Sequence, residues 1–317
     1  MSQLYNTAQI LRGLVVTGLD HICMLGKKGP GISERIDGDV IPGSKERLCV
    51  FSHFDRDNRI DDYVVYYLEQ LHNLGCETVL VSTSGSLEGT GVDKVRPYCR
   101  RIIVRENRGY DFGSWKVGLR DAGDLSSYDR LILANDSVYG PIRDLREVFH
   151  DMDADGYAAW GITDSLQLHY HLQSYFLVFD KSVWNSSVFT EFWRDLPYYR
   201  FKWSIISNCE VGFSQRLLRA GFRLGAFCEY RRLRDRHPEK FQAAEAEYPF
   251  GGTVNPTLRL WKILVEDCHC PFLKVALLRD NPKKLDDVNR WREALAQSSD
   301  YDVGLIERHL ARMNTRP

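Results

Sequence analysis

Three times between residues 48 and 137 an almost unbroken apolar run ends abruptly in hydroxyl, amide, imidazole or carboxylate side chains: LCVFSHFD (48–55), TVLVSTSGS (78–86) and LILANDS (131–137). Runs without apolar–polar alternation read as strands buried on both faces, and such strands belong to sheets covered by helices on each side. Helical periodicity follows: Ile60, Val64, Tyr67, Leu68 and Leu71 repeat at helix spacing before Gly75, which suits a helix C-terminus. A short strand is expected at 101–104 and a helix at 112–119, with further strands in 156–165 and 171–179. An aromatic-rich helix is expected at 184–194, and a helix from 209 to Ala220 with Gly221 as its cap precedes a returning strand. Strand and helix alternate, which predicts an α/β, parallel, doubly wound, Rossmann-like sheet.

Open α/β sheets bind ligands at the carboxyl ends of their strands. The polar ends collect His53, Asp55, Ser82, Ser84, Asn135 and Asp136 there, joined by Asn107, Arg108 and Asp111 from the turn ENRGYDFGSWK (106–116). Asn135, Asp136 and Ser137 offer oxygens that suit a hard cation, or equally an Asx-type turn. The turn at Gly109 opens a helix, whose free N–H groups and positive dipole end suit a phosphate. Asp111 reads there as a ligand or as an ordinary first-turn acid. Glu210, placed in the first turn of its predicted helix, reads as a general base or as a cap. Asp164, at the end of WGITDS (160–165), is its competitor, and His171, Gln173 and Ser174 are the polar members of the next strand.

Composition narrows the function. Lys plus Arg is 42 against 43 for Asp plus Glu, a balance that gives no sign of nucleic-acid binding. Neither GxxxxGKS nor GxGxxG occurs, which argues against a P-loop NTPase or a dinucleotide enzyme. The 8 cysteines are scattered and read as reduced cytosolic thiols. Cys268-His269-Cys270 lacks a second pair at zinc spacing. No stretch is apolar enough to span a membrane. Ile10, Leu11, Leu14, Val15, Ile22 and Leu25 suggest an amphipathic helix that packs on the main domain or lies on a membrane surface. Residues 26–44 read as a linker, 230–236 as a basic run before His237, and 258–278 and 288–296 as helices, the first broken at Pro271.

The order of these features resembles nucleotide-sugar glycosyltransferases of the GT-A fold. In those enzymes an acidic triplet, usually Asp-x-Asp, binds the divalent ion that grips the diphosphate; here Asn135-Asp136-Ser137 stands in its place. Longer words resemble the rhamnan synthesis protein F family: DDYVVYYLEQL (61–71), ENRGYDFGSWK (106–116), LANDSVYGP (133–141), WGITDS (160–165), HLQSYFLVF (171–179) and NPTLRLW (255–261). The likeness spans about residues 48–278. It implies a GT-A-like mixed sheet over 47–235, an N-terminal arm over 1–46 and a helical C-terminal extension over 236–317. It further implies transfer of rhamnose or another deoxyhexose, from dTDP-rhamnose or a similar donor, to a glycan or lipid-linked acceptor.

On that likeness Ser52, His53, Asp55, Ser84, Asn107, Arg108, Gly109, Asp111, Asn135 and Asp136 bind the donor. His171, Gln173 and Ser174 meet sugar hydroxyls, Glu210 or Asp164 is the base, and Mg2+ or Mn2+ sits on Asp136 with His237. The expected location is cytoplasmic, with peripheral contact at the inner membrane face. Two other readings stay open: a non-catalytic glycan- or nucleotide-binding module, and a metal-dependent phosphotransferase.

Overall fold

The computed structural model describes residues 29–246 and 253–314, together with 15, 16, 18 and 20. Most of the expected amphipathic segment, including Ile10, Leu11, Leu14, Ile22 and Leu25, lies outside the described residues, as does Cys23. Asp20 is described; it is buried and accepts from the backbone N–H groups of Arg200 and Phe201.

Among the described residues eleven strands form: β1 (Ile32–Asp37), β2 (Arg47–His53), β3 (Cys76–Ser82), β4 (Cys99–Arg105), β5 (Arg130–Asn135), β6 (Val138–Tyr139), β7 (Ala159–Ser165), β8 (His171–Leu172), β9 (Phe176–Asp180), β10 (Leu224–Cys228) and β11 (Leu273–Lys274). Nine of them make one sheet in the order β1-β4-β3-β2-β5-β9-β7-β10, with β8 beside β7. The β4-β3-β2-β5 block is parallel, β9 runs antiparallel to both β5 and β7, and β7 and β10 are parallel. The sheet is mixed and doubly wound, the α/β class expected.

Alternation along the strands explains the two cores. Cys49 and Phe51 face one side with Leu80, Ile102 and Ile132, against the helix Asp62–Asn73 and the C-terminal helices. Leu48 and Val50 face the other side with Val79, Val81 and Leu133, against the helices Tyr110–Ala122 and Ser187–Asp195. The helix Tyr110–Ala122 comes close enough that a Cβ on Gly118 would stand 2.3 Å from Val50 Cγ1 and 3.1 Å from Val81 Cγ2.

Several elements differ from expectation. The supposed linker at 26–44 holds β1, which pairs antiparallel with β4 and closes the sheet edge. The expected helix at 184–194 is two, Lys181–Trp184 and Ser187–Asp195, because Ser186 caps the second by accepting from Phe189 N–H. The run 171–179 breaks into β8 and β9, releasing Gln173, Ser174 and Tyr175 from the sheet. The helix expected to start at 209 starts at Lys202, passes through a π-helical turn at Ile205–Val211 and ends at Arg219. Glu210 therefore lies inside the helix, and the argument from a helix N-terminus does not apply to it.

The C-terminal segment is less helical than expected at 258–278. It contains the short helices Pro256–Arg259 and Trp261–Glu266, then β11, which pairs with β6, and then Val275–Asp280. Its residues share the core of the first sheet face. The helix Val303–Asn314, within the expected helical extension, packs beside Asp62–Asn73. Arg312 on this helix clamps the loop after β2: Nη1 meets Asp57 Oδ2 at 2.8 Å, and Nη2 meets Asp55 Oδ2 and Asp61 Oδ2, each at 2.5 Å. Burial raises the Asp55 pKa, but the Arg312 hydrogen bond and backbone N–H groups outweigh it and hold the carboxyl below its ordinary value.

Gly118→Ala gains about 1 kcal/mol of helix propensity, but overpacking against stiff valines costs about 1–3 kcal/mol. The expected net result is a lower urea midpoint; an unchanged or higher midpoint contradicts the close helix–sheet approach. Arg312→Met removes the guanidinium that Asp55, Asp57 and Asp61 share. It should cost about 2–4 kcal/mol at pH 7, less than a fully buried pair because Asp57 is half exposed. Asp55 stabilises the fold above its unfolded pKa and loses that contribution as the pH falls through its lowered folded value. The gap between wild type and variant, measured by denaturation at pH 7 and pH 3, should narrow in acid; a constant gap contradicts the clamp.

Candidate active site

A cleft of about 660 Å³ opens at the carboxyl ends of β2, β3 and β5. Register puts it there. Ser52 pairs with Asn135 across β2–β5, and His53 pairs with Ser82 across β2–β3, so the polar strand ends form one edge. Asp111, in the first turn of Tyr110–Ala122, ties that edge together: Oδ1 accepts from Ser52 Oγ at 2.8 Å and Oδ2 accepts from Asn135 Nδ2 at 3.1 Å. Burial raises the pKa of the Asp111 carboxyl, while its two donors and Lys274 oppose the rise.

The triplet Asn135-Asp136-Ser137 folds back on itself. Asn135 Oδ1 accepts from Ser137 N–H at 3.1 Å and Oγ at 2.6 Å, an Asx turn. Asp136 Oδ2 accepts from Phe54 N–H at 2.8 Å and lies 4.0 Å from His53 Nε2. Burial lifts Asp136 to about 8, against the Phe54 bond and with help from the Asp111 charge. Burial likewise lowers His53 to about 4, so its ring is neutral at pH 7. Ser82 Oγ lies 2.9 Å from His53 Nδ1 and donates to Ser84 Oγ at 3.0 Å. That direction puts the imidazole proton on Nδ1 and leaves Nε2 as an acceptor toward Asp136.

The opposite wall comes from the broken β8–β9 run and the π-turn. Glu210 Oε1 accepts from both Ser174 N–H, at 2.7 Å, and Ser174 Oγ, at 2.9 Å. A π-turn inserts a residue into the helical repeat and re-aims the side chains around it, and such turns often mark functional sites. Gln173 accepts from Thr163 Oγ1 at 2.7 Å and donates to Asn255 Oδ1 at 3.4 Å. Lys274 enters from β11: Nζ donates to Ser137 Oγ at 3.2 Å and stands 4.2 Å from the Tyr175 ring centroid. Burial lowers its pKa to about 8, with Glu210 and Asp111 opposing the fall.

Of the residues singled out from sequence, His53, Asp55, Asn107, Asp111, Asn135, Asp136, Gln173, Ser174 and Glu210 line the cleft. Ser52 and Ser84 stand behind the wall, Ser52 supporting Asp111 and Ser84 accepting from Asp55 N–H at 2.8 Å. The other expected positions have their contacts elsewhere. Arg108 turns away to Glu106 Oε2 and the Gly29 carbonyl. Gly109 has φ 80°, and a Cβ there would meet Gly113 and Tyr198 at 3.2 Å. His171 pairs with the His169 carbonyl. Asp164 is buried under Tyr230 N–H, which donates to it at 2.6 Å, and burial raises its pKa to about 6. His237 faces Asp267 at 3.5 Å and is not in the wall that holds Asp136.

Lys274, Lys202, Tyr63, Tyr110 and Asn255 line the cleft without having been singled out. A lone lysine inside the apolar run PFLKVALL (271–278) was the available signal for the first. Divalent ions take several oxygens, and Mg2+ commonly one or two carboxylates plus phosphates and water. Here one Asp136 oxygen holds Phe54 N–H, Asn135 Oδ1 is turned inward, and an ammonium already stands at Ser137. Among the described residues no group of three His, Cys, Asp or Glu side chains has the arrangement of a metal site. These residues do not fit a resident Mg2+ or Mn2+.

A carboxyl whose folded pKa is raised binds a proton that the unfolded chain has already lost, so its contribution to stability declines as the pH rises from about 4 toward 8. Asp136→Asn keeps an oxygen for Phe54 N–H and cannot ionise. Its stability relative to wild type should increase between pH 5 and pH 8 in paired thermal melts; a difference that does not move with pH contradicts the protonated carboxyl.

The family model for rhamnan synthesis protein F matches residues 78–317. The likeness read at 48–278 is thus matched from residue 78 and extends past 278 to the end of the chain. The virulence protein VirA of Vibrio anguillarum is 29% identical over 278 residues, covering 82% of this chain and 88% of VirA. Among solved structures, the glycosyltransferase GlyE of Streptococcus pneumoniae TIGR4 is similar at TM-score 0.42 and 15% identity, over 86% of this chain and 65% of that one. The mannosyltransferase PcManGT of Pyrobaculum calidifontis, solved with GDP-Man and Mn2+, is similar at TM-score 0.38 and 13% identity, over 100% of this chain and 93% of that one. With its model matched across most of the sequence, the chain belongs to the rhamnan synthesis protein F family.

Proposed function

We propose that the protein is a glycosyltransferase that moves a sugar, rhamnose or another deoxyhexose, from a nucleoside-diphosphate donor to a surface glycan or a lipid-linked acceptor. The carrying observation is the convergence of Asp136, Asp111, Glu210 and Lys274, from four different elements, on one cleft at the carboxyl edge of the sheet. Family membership supports the sugar class, and dTDP-rhamnose is the donor to test first. No helix among the described residues is long and apolar enough to cross a membrane. A donor drawn from the cytosol and an acceptor on a lipid carrier suit work at the inner membrane face.

In this reading the loop after β2, with His53 and Asp55, holds the nucleoside, and the diphosphate lies along Asn135–Ser137. The acceptor hydroxyl approaches from the wall of Ser174 and Glu210. Ser174 fixes Glu210 through Oε1, and Oε2 takes the acceptor proton. The acceptor oxygen then bonds to the anomeric carbon as the bond from that carbon to the diphosphate oxygen breaks. The nucleoside diphosphate leaves with the electron pair. Asp164 has no part in this, being closed off under Tyr230.

Incubation with a panel of nucleotide sugars and release of nucleoside diphosphate tests the reaction class. Glu210→Gln keeps the shape and removes the basicity. It should lower turnover about 10²–10⁴-fold with donor binding and melting temperature close to wild type. Normal turnover in Glu210→Gln would remove Glu210 from the mechanism.

A further inference from the structure

The site has one feature that the general reaction does not require. An ammonium sits in the wall where a transferase of this kind would otherwise need a cation from solution. Its placement is set by backbone. Lys274 pairs with Val138 across β11–β6, and Val275 N–H donates to the Ser137 carbonyl at 3.0 Å. The lysine is thereby fixed opposite the residue that follows the Asn135–Ser137 turn. Nζ is held on two sides, by Ser137 Oγ at 3.2 Å and by the Tyr175 ring at 4.2 Å. Neither a hydroxyl nor a ring neutralises it. Glu210 and Asp111 favour its charge from within the same cleft, and an enclosed cation whose direct contacts are neutral gains further from an anion that completes the site. One oxygen of the carboxyl beside it in sequence, Asp136, is already taken by Phe54 N–H at 2.8 Å.

We propose that Lys274 is the resident cation for the donor diphosphate, and that the cleft binds nucleoside diphosphates without a divalent metal ion. The inference rests on the nucleotide-sugar reading of the cleft. Lys274 Nζ would give charge-assisted hydrogen bonds to the phosphate oxygens and stabilise the charge that grows on the leaving group.

Calorimetry of the full chain with dTDP, UDP and GDP, each in EDTA and in Mn2+, tests both layers. Wild type is expected to bind at least one of them with the same affinity in the two buffers. Lys274→Met should bind that nucleotide at least about tenfold more weakly in either buffer, the loss of one charge-assisted contact. Lys274→Arg should keep most of the affinity. Wild-type binding seen only with Mn2+ overturns the lysine role and leaves the nucleotide-sugar reading standing, and this arm needs no variant to fold. A folded Lys274→Met protein that binds like wild type overturns it too. No binding of any of the three nucleotides in either buffer overturns both.

Discussion

The in-register parallel pairing of β2 with β3 on one side and β5 on the other is the constraint that organises the molecule. It makes three apolar runs stop on one line. The polar groups beyond that line are partly buried, and buried polar groups must find partners. They find them in each other: Asp111 gathers Ser52 and Asn135, and His53 reaches Ser82, which continues to Ser84. The other parts of the site are deliveries to this edge. The helix Tyr110–Ala122 brings Asp111, the interruption between β8 and β9 brings Gln173 and Ser174, and the β6–β11 pair brings Lys274.

Electrostatically the cleft sets an enclosed ammonium among several carboxyl groups. Burial pushes Asp136 and Lys274 toward the same value, about 8, from opposite sides, so each is drawn toward neutrality by the low local dielectric. Glu210 and Asp111 both favour the charged lysine. An incoming phosphate would favour it more, and would favour the neutral form of Asp136 at the same time. On the proposed reading, an anion could thus bind with little change in the state of either side chain.

Most of the fold was legible because it rests on local pattern. β2, β3 and β5 are long apolar runs, and Gly75 and Gly221 mark turns that no helix crosses. What escaped depends on long-range pairing. β1 is short and mostly polar, ISERID, so nothing in its sequence separates an edge strand from a linker. β11 is two residues long and exists only because β6 lies beside it. In the site, His53, Asp111, Asn135 and Asp136 were visible as strand and turn ends. Lys274 was not, since its place depends on a contact between residues far apart in the chain. Nothing in the sequence shows that Asp164 meets Tyr230 N–H and that His237 meets Asp267.

The π-helical turn at Ile205–Val211 has a consequence for how this helix tolerates change in length. Each residue of an α-helix advances the side chain by about 100° around the axis. Removing a single residue from the turn would let the helix relax to an ordinary α-repeat while Gly212–Arg219 kept its packing against the sheet through Phe213 and Leu217. The flanks would keep their phase, and the change of direction would fall on the residues of the turn itself. Substitution can alter the chemistry at position 210, but loss of one neighbour would aim an intact glutamate away from Ser174 and the cleft. Phase along the helix, as well as residue identity, determines whether this wall of the site exists.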